Sequence, residues 1–418
     1  MTISGTQIAT QRSTSVEALV PLLNDARPVL GVMNFNILDQ LIEQLREAYP
    51  QEWIMHSVAV QSMGLPGVLE HFRARGLGAV TASASELDIA KHTGFMAHEL
   101  VHSASINTWS ILRQLMETGL SLSIDNFAEL NRVDELVEQS EHLQPSLGLC
   151  VTPQAPVDDE NPAHTHRGIG LRDHRQDLLQ AYLDRPWLDQ IHLNFAPPAA
   201  TLQDAAEHVA AIYRFAEDLE HAAGAQRIRR MHITWGLPVN FVSDDVAPSM
   251  DNHRFALQAT VPELFDGKYT IVTEFTTALT AKAGMIMARV EYVKDLENKL
   301  IAVLHTETPL PRDHSLRIEA YDDAGELKDT TELFYYDIAG PTGIIGHRLQ
   351  LPELEEGDIL VILDVGASVF GSNSTFAAPI YGIRADGLLT ETSVLRHGDT
   401  VDDVVDAAGV YQPAKLLH

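Results

Sequence analysis

The stretch WIMHSVAV at residues 53–60 is the first of a series of short runs that decide the fold. The runs are five to eight residues long, mostly apolar at odd and even positions alike, and separated by helical patterns. They occupy residues 53–60, 78–83, 100–105, 120–124, 147–152, 190–195, 230–235 and 269–274. Parallel strands covered by helices on both faces have this composition. Eight such strand–helix units predict an α/β fold, a (β/α)8 TIM barrel with functional residues at the carboxyl ends of its strands.

The pattern of apolar and polar residues changes after about residue 284. Helical patterns give way to strand-like runs separated by turns such as Asp323-Ala324-Gly325. The runs occupy residues 285–293, 300–304, 316–321, 331–338, 358–363 and 378–383. This half predicts an antiparallel β domain. We therefore expect a barrel domain over residues 36–280, and a β domain formed by residues 281–418 together with the N-terminal segment 1–35.

Charge and hydropathy restrict the partners. The 418 residues carry a formal charge of −29, which argues against nucleic acid and against anionic membrane surfaces. No apolar run approaches the roughly 20 residues needed to cross a bilayer. The first 16 residues lack the apolar core of a secretory signal, so a cytoplasmic location is expected.

Cysteine and histidine give little support to a metal site. The single cysteine, Cys150, lies in an apolar run and is interpreted as a buried structural thiol. His164 and His166 form an H-x-H pair in a loop, and His102, His192 and His232 fall near the ends of strands. Because no H-E-x-x-H or matching carboxylate spacing accompanies them, no metal is predicted.

Local phrases resemble a known family in order and spacing over nearly the whole chain. Residues 56–61, HSVAVQ, stand where ornithine, arginine and diaminopimelate decarboxylases have YAVKAN. The others are ASASEL at 82–87, IDN followed by EL at 124–130, AGMIMARVEYVK at 283–294 and LPELEEGD at 351–358. The chain therefore resembles the fold-type III pyridoxal-phosphate-dependent decarboxylases, which have an alanine racemase-like barrel. The resemblance implies amino-acid decarboxylation with pyridoxal phosphate and a homodimer with shared active sites.

The resemblance also indicates a degenerate site. The family lysine, which forms an imine with the cofactor, falls on Ala59, which has no amine. The glycine-rich phosphate cradle falls on Thr234-Trp235-Gly236, and the cysteine phrase lent to the partner's site falls on residues 343–347. Only Lys91 occurs in the barrel before residue 266, on a helix, and Lys282 lies beyond the last barrel strand. The sequence therefore predicts that no cofactor is bound, neither pyridoxal phosphate nor a metal.

Two family positions are retained. Glu274 matches the glutamate that pairs with the pyridine nitrogen, and His192 matches the histidine that stacks on the cofactor ring. These two are the candidate catalytic acid and base, although a structural ion pair and a core histidine remain alternatives. The candidate substrate-binding residues at the strand ends are Ala59, Gln61, Asn194, Thr234, Trp235 and Thr276.

Three hypotheses for function follow. The first is an enzyme or binding protein that uses the old pocket for an amino-acid-like small molecule without pyridoxal phosphate. The second is an inactive homologue that pairs, as a heterodimer, with an active decarboxylase. The third is a decarboxylase that binds pyridoxal phosphate unconventionally. The polar residues at the strand ends, Gln61, Asn194 and Glu274, favour the first, because an inert partner has no need of a polar pocket.

Overall fold

The structure is a computed structural model that describes residues 3–139, 147–153, 167–194, 201–233, 237–297, 299–306, 317–341, 343–386 and 389–409. Its α-helices in chain order are α1 (Gly5–Leu19), α2 (Phe35–Ala48), α3 (Pro66–Ala74), α4 (Ala84–His92), α5 (Trp109–Thr118), α6 (Phe127–Glu138), α7 (Leu171–Asp184), α8 (Leu202–Ala223), α9 (Met250–Thr260), α10 (Thr276–Thr280) and α11 (Val401–Ala408). Short 3-10 helices are Val20–Leu22, Ala97–Glu99, Pro262–Phe265 and Ala281–Ala283.

The strands form two sheets. In chain order they are β1 (Val29–Asn34), β2 (Ile54–Ala59), β3 (Gly78–Thr81), β4 (Leu100–Ser103), β5 (Ser121–Ile124), β6 (Leu147–Thr152), β7 (Ile169–Gly170), β8 (Leu188–Leu193), β9 (Arg230–Ile233), β10 (Thr270–Glu274), β11 (Gly284–Leu296), β12 (Lys299–Leu304), β13 (Ile318–Tyr321), β14 (Phe334–Gly340), β15 (Gly343–Leu351), β16 (Ile359–Ile362), β17 (Ile380–Asp386) and β18 (Leu389–Arg396).

The first sheet is a closed barrel of eight parallel strands, β2-β3-β4-β5-β6-β8-β9-β10, in which β10 returns to pair with β2. All eight runs predicted from the sequence are strands of this barrel. The two-residue strand β7 is an addition, paired with the end of β6. The predicted barrel is confirmed.

Helix α2 shows why the surrounding helices form where they do. The side chain of Asn34 caps its first turn by accepting hydrogen bonds from the backbone N–H groups of Asn36 and Ile37. One face of the helix carries an apolar stripe that is at most 2 % exposed, and consists of Ile37, Leu38, Leu41, Ile42 and Leu45. Burial of such a stripe against a sheet is the main source of helix stability in a domain.

The second sheet has the order β15-β14-β12-β11-β1-β17-β18, with β16 paired to β11 and β13 paired to β16. Most pairs are antiparallel, which confirms the predicted β domain after the barrel. Two pairs are parallel, β1 with β17 and β12 with β14, so the sheet is mixed. The N-terminal strand β1 lies inside it, between β11 and β17.

An ionic network joins the barrel to the second sheet. Lys282 follows the last barrel strand, and its ammonium group donates to the carboxylate of Asp364 at 2.9 Å and to the backbone carbonyl oxygen of Ser243 at 2.6 Å. Arg317 bridges Asp364 and Asp244, and Asp244 also binds Arg12 of α1. This is the domain junction at which Lys282 was expected.

Among the described residues, no helix is both long enough and apolar enough to cross a membrane.

Candidate active site

A cavity of about 210 Å³ opens at the carboxyl ends of the barrel strands. The residues that line it come from β2, β3, β4 and β8 or the turns after them, from α4, from the segment before β7, and from the end of β10. They are Ala59, Gln61, Ser62, Val80, Ala82, Glu86, Ser103, Arg167, His192, Asn194 and Glu274. A barrel fold places binding residues at this end.

The cavity brings together most of the residues that the sequence pointed to. Glu274, His192, Ala59, Gln61 and Asn194 all lie on its wall. Thr276 is buried directly behind it, at the start of α10. Thr234 and Trp235, like His164 and His166, lie outside the described residues, so their positions remain predictions.

Glu274 is connected to Ala59 through Thr276. The backbone N–H of Ala59 donates to the Thr276 hydroxyl at 2.6 Å, and this hydroxyl donates to a carboxylate oxygen of Glu274 at 3.4 Å. Burial raises the pKa of Glu274 to about 7, against a weaker lowering by Thr276 and the positive charge of Arg167. A carboxyl group with a pKa near neutrality can both hold and release a proton under working conditions.

His192 lies beside His232 on the neighbouring strand, with ring centroids 4.0 Å apart. The pKa of His192 is lowered well below its usual value, first by burial and then by His232 and Arg167. Nδ1 of His192 and both ring nitrogens of His232 have no hydrogen-bond partner. Both rings are therefore neutral at physiological pH, and His192 offers the cavity an uncharged aromatic surface.

His102 does not join these two rings. Its nitrogens bond Thr81 Oγ1 at 2.9 Å and Asn107 Oδ1 at 3.1 Å. Within the described part of the chain, no group of three or more His, Cys, Asp or Glu side chains could hold a metal ion.

The sequence reasoning missed Arg167, the cationic side chain among the described residues that line the cavity. Its Nη2 donates to the backbone oxygen and the hydroxyl of Ser103, both at 2.8 Å, and its Nε lies 3.8 Å from Asp125. The available signal was an arginine directly before Gly168, between a long loop and a helix.

Glu86 was also missed, although its ASASEL phrase was noted. Its carboxylate accepts hydrogen bonds from the Ala82 N–H at 2.7 Å and from the Ser372 hydroxyl at 3.0 Å. Ser372 belongs to a loop of the second sheet. In the same loop, the Ser368 N–H donates to the backbone carbonyl oxygen of Ser62 at 2.7 Å. One wall of the cavity is therefore held in place by the second sheet.

Neither Lys91 nor Lys282 belongs to the cavity wall, and no other lysine is found among the described residues that line it. Lys282 is only 2 % exposed and is held by Asp364 in the junction network. Ala59 lies on the wall at the position that the resemblance assigns to the family lysine.

Comparison with known proteins shows which family this site resembles. The family profile described as "Pyridoxal-dependent decarboxylase, pyridoxal binding domain" matches residues 37–182, which include β2 to β6 and the part of the cavity that they line. Residues 37–182 are therefore similar to the pyridoxal-binding domain of the pyridoxal-dependent decarboxylases.

Relatives within this decarboxylase family match along most of their length. Diaminopimelate decarboxylase of Zymomonas mobilis is 22 % identical over 378 residues, covering 83 % of this chain and 84 % of that protein. The crystal structure of diaminopimelate decarboxylase from Helicobacter pylori complexed with L-lysine has a TM-score of 0.74 at 18 % identity, covering 91 % of this chain and 96 % of that one. The diaminopimelate decarboxylase from M. jannaschii in co-complex with L-lysine has a TM-score of 0.77 at 16 % identity, covering 95 % of this chain and 94 % of that one.

The match to a pyridoxal-binding domain corrects one prediction. From Ala59 and the altered phosphate cradle we expected no cofactor. That expectation is wrong, because the matching profile is the pyridoxal-binding domain itself and makes pyridoxal phosphate the expected cofactor. The cavity fits the ring of this group, since it offers the Glu274 carboxyl and the flat ring of His192. It does not fit a covalent attachment at residue 59, because alanine has no amine.

Proposed function

We propose that this protein binds pyridoxal phosphate without a lysine linkage and acts on an amino-acid-like small molecule in the same cavity. One observation carries the proposal: Glu274 and His192 lie on a single cavity wall together with Ala59. The first two suit the ring of the cofactor, and the third leaves the aldehyde end unattached. The proposed boundaries are a barrel domain over residues 36–280 and a β domain over residues 1–35 and 281–418.

The residues of the cavity wall would have separate roles in binding the cofactor and the ligand. Glu274, with a pKa of about 7, would hold a proton next to a ring nitrogen. His192 stays neutral and would pack its ring face against the bound group. Gln61 and Asn194 supply amide donors and acceptors on the same wall. When bound, pyridoxal phosphate supplies an electron sink for negative charge that develops at a carbon of the amino-acid ligand.

The proposed substrate class rests on the relatives. Two related crystal structures contain L-lysine, so we propose an amino acid or a close derivative as the ligand here, with a homodimer as the working unit. The alternative of an inert partner predicts a barrel filled with hydrophobic side chains. A cavity of about 210 Å³ with charged and amide groups on its wall argues against that alternative.

Cofactor retention after borohydride treatment tests the proposal. The purified protein is mixed with pyridoxal phosphate, treated or not with borohydride, desalted under denaturing conditions and analysed by mass spectrometry. We expect the native wild-type protein to bind pyridoxal phosphate. After denaturation, no covalent adduct should remain on the wild-type chain. The variant Ala59→Lys is the matched control, and it should acquire a borohydride-stable adduct at position 59.

Two results would contradict the proposal. One is a wild-type protein that does not bind pyridoxal phosphate at all. The other is a wild-type adduct fixed to one specific lysine, such as Lys91 or Lys282, because that would restore the ordinary linkage.

A further inference from the structure

Arg167 reaches the cavity on a rigid support. Gly168, the next residue, has φ +83°, and a Cβ atom there would lie only 3.1 Å from the Cys150 sulfur. The N–H of Gly168 donates to the carboxylate of Asp125 at 3.1 Å, and Ile169 then pairs with Val151 of β6. The backbone that directly follows Arg167 is therefore fixed.

A chain of buried hydrogen bonds holds Asp125 itself. The backbone N–H of Asp125 donates to Glu129 at 2.9 Å, and the other Glu129 oxygen accepts from the Asn107 amide at 2.8 Å. Asn107 in turn bonds His102, which bonds Thr81 on β3. This chain spans three neighbouring barrel strands and α6, so it resists displacement of Asp125 and of the Arg167 segment.

The guanidinium has donor capacity left over. Two hydrogen bonds run from Nη2 to Ser103, and the buried Nε lies 3.8 Å from Asp125, whereas no described residue accepts a hydrogen bond from Nη1. Because the Ser103 hydroxyl already accepts from Arg167, its own proton is available to a further acceptor on the cavity side. Both residues line the cavity. An arginine and a hydroxyl placed side by side form a binding site for a small anion.

We propose that Arg167 and Ser103 bind a carboxylate group of the amino-acid-like ligand. This proposal rests on the proposed function, because it assigns one part of the same cavity. A singly charged carboxylate suits the site better than a phosphate dianion, since Glu86 and Glu274 also line the cavity and would repel the second negative charge. The ligand class is therefore narrowed to compounds that keep a free carboxylate, as opposed to amines and amides.

Paired ligands separate the carboxylate contact from general effects on the pocket. The probes are the twenty common L-amino acids and diaminopimelate, and the α-amide of each one that binds, all in the presence of pyridoxal phosphate. Affinities are measured by calorimetry for wild type, Arg167→Met, Arg167→Lys and Ser103→Ala. Arg172→Met is the control, because Arg172 is an exposed arginine on the adjacent helix α7.

We expect Arg167→Met to lower the affinity for the amino acid by about 10- to 100-fold, which is the range for a hydrogen bond between charged groups. The amide should bind wild type and variant with equal, weak affinity. Arg167→Lys should recover part of the loss, and Ser103→Ala should lose less than Arg167→Met. Thermal unfolding of each variant shows whether the fold persists.

Other outcomes overturn the proposal. They are equal weakening of acid and amide, no dependence on Arg167, or no binding of any probe to wild type. If Arg167→Met instead loses pyridoxal phosphate and keeps amino-acid binding, the guanidinium binds the phosphate and the carboxylate assignment is wrong. Binding of pyridoxal phosphate to wild type is measured separately. Its absence contradicts the proposed function, whereas its presence with an Arg167-independent amino acid contradicts only the present inference.

Discussion

At the scale of single residues, the electrostatic state of Glu274 gives a prediction about pH. Its pKa is about 7 in the folded protein and near 4.5 in an unfolded chain. A carboxyl whose folded pKa is raised ionises first in the unfolded state, so its contribution to the free energy of unfolding falls as pH rises from about 4.5 to 7. The loss is at most about 3 kcal/mol at 1.36 kcal/mol per pKa unit, and smaller because the cavity admits solvent.

Glu274→Gln should therefore remove this pH dependence and make the protein more stable than wild type at pH 8. The check is urea denaturation of both proteins between pH 5 and 8. Glu353→Gln, on an exposed side chain, is the control and should leave the pH profile unchanged. A wild-type profile that Glu274→Gln does not alter would contradict the raised pKa.

A second residue-scale prediction joins Arg167 to Glu274. The positive charge of Arg167 lowers the pKa of Glu274, so Arg167→Met should raise that pKa further. The titration can be followed by infrared spectroscopy of the carboxyl band, with Glu274→Gln identifying the band. A pKa that stays constant or falls in Arg167→Met would show that the two side chains do not interact.

Residue identity could be predicted from the sequence where the resemblance supplied a motif. It pointed to Glu274, His192 and Ala59, which line one cavity, while their roles stay predictions. Arg167 and Ser103 were not found, because their meeting depends on how the segment before β7 docks against β4. No pattern along the chain encodes that contact between residues 64 positions apart.

At the scale of elements, a substitution at Gly168, directly before β7, tests how Arg167 is positioned. Gly168→Ala combines a backbone at φ +83° with a Cβ position 3.1 Å from the Cys150 sulfur and 3.2 Å from its carbonyl oxygen. We expect a loss of stability of about 1–2 kcal/mol, the cost of a left-handed alanine, and weaker ligand binding. Gly170→Ala is the matched control, because no atom lies within 4 Å of its ideal Cβ.

Urea denaturation and ligand calorimetry measure the two effects. If Gly168→Ala and Gly170→Ala behaved alike, the turn at Gly168 would have no special role in positioning Arg167.

Helices and strands could be predicted where a pattern among neighbouring residues encodes them. The eight barrel strands followed from short-range apolar patterns. β15 was not predicted, because its residues 343–351 are mostly exposed and lack an apolar pattern. The parallel pairs β1–β17 and β12–β14 also escaped prediction, since strand direction is set by contacts between distant parts of the chain.

At the scale of the whole molecule, the ionic network between the barrel and the second sheet predicts that Lys282, which lies outside the cavity wall, affects the stability of the protein. Lys282→Met removes one of the two cationic partners of Asp364, leaving Arg317, and it also removes the donor to the backbone carbonyl group of Asn240. Leaving a buried charge unpaired costs about 3–5 kcal/mol, and because Arg317 still pairs with Asp364 we expect a loss below that range. Denaturation should show this loss, while Lys294→Met, on an exposed side chain, should show none.

In the same experiment, Lys282→Met should leave the absence of a borohydride-stable adduct unchanged. A variant as stable as wild type would contradict the role of the network in joining the sheets.

The central place of β1 in the second sheet has a consequence for synthesis on the ribosome. Its partners Gly284 and Ile380 emerge about 250 and 350 residues after Met33 and Gly31. At translation rates of 5–20 residues per second, the first strand waits roughly 10–50 s for β11. During that interval β1, whose six residues are all buried in the folded sheet and are mostly apolar, has no pairing partner and offers nascent-chain chaperones an early target.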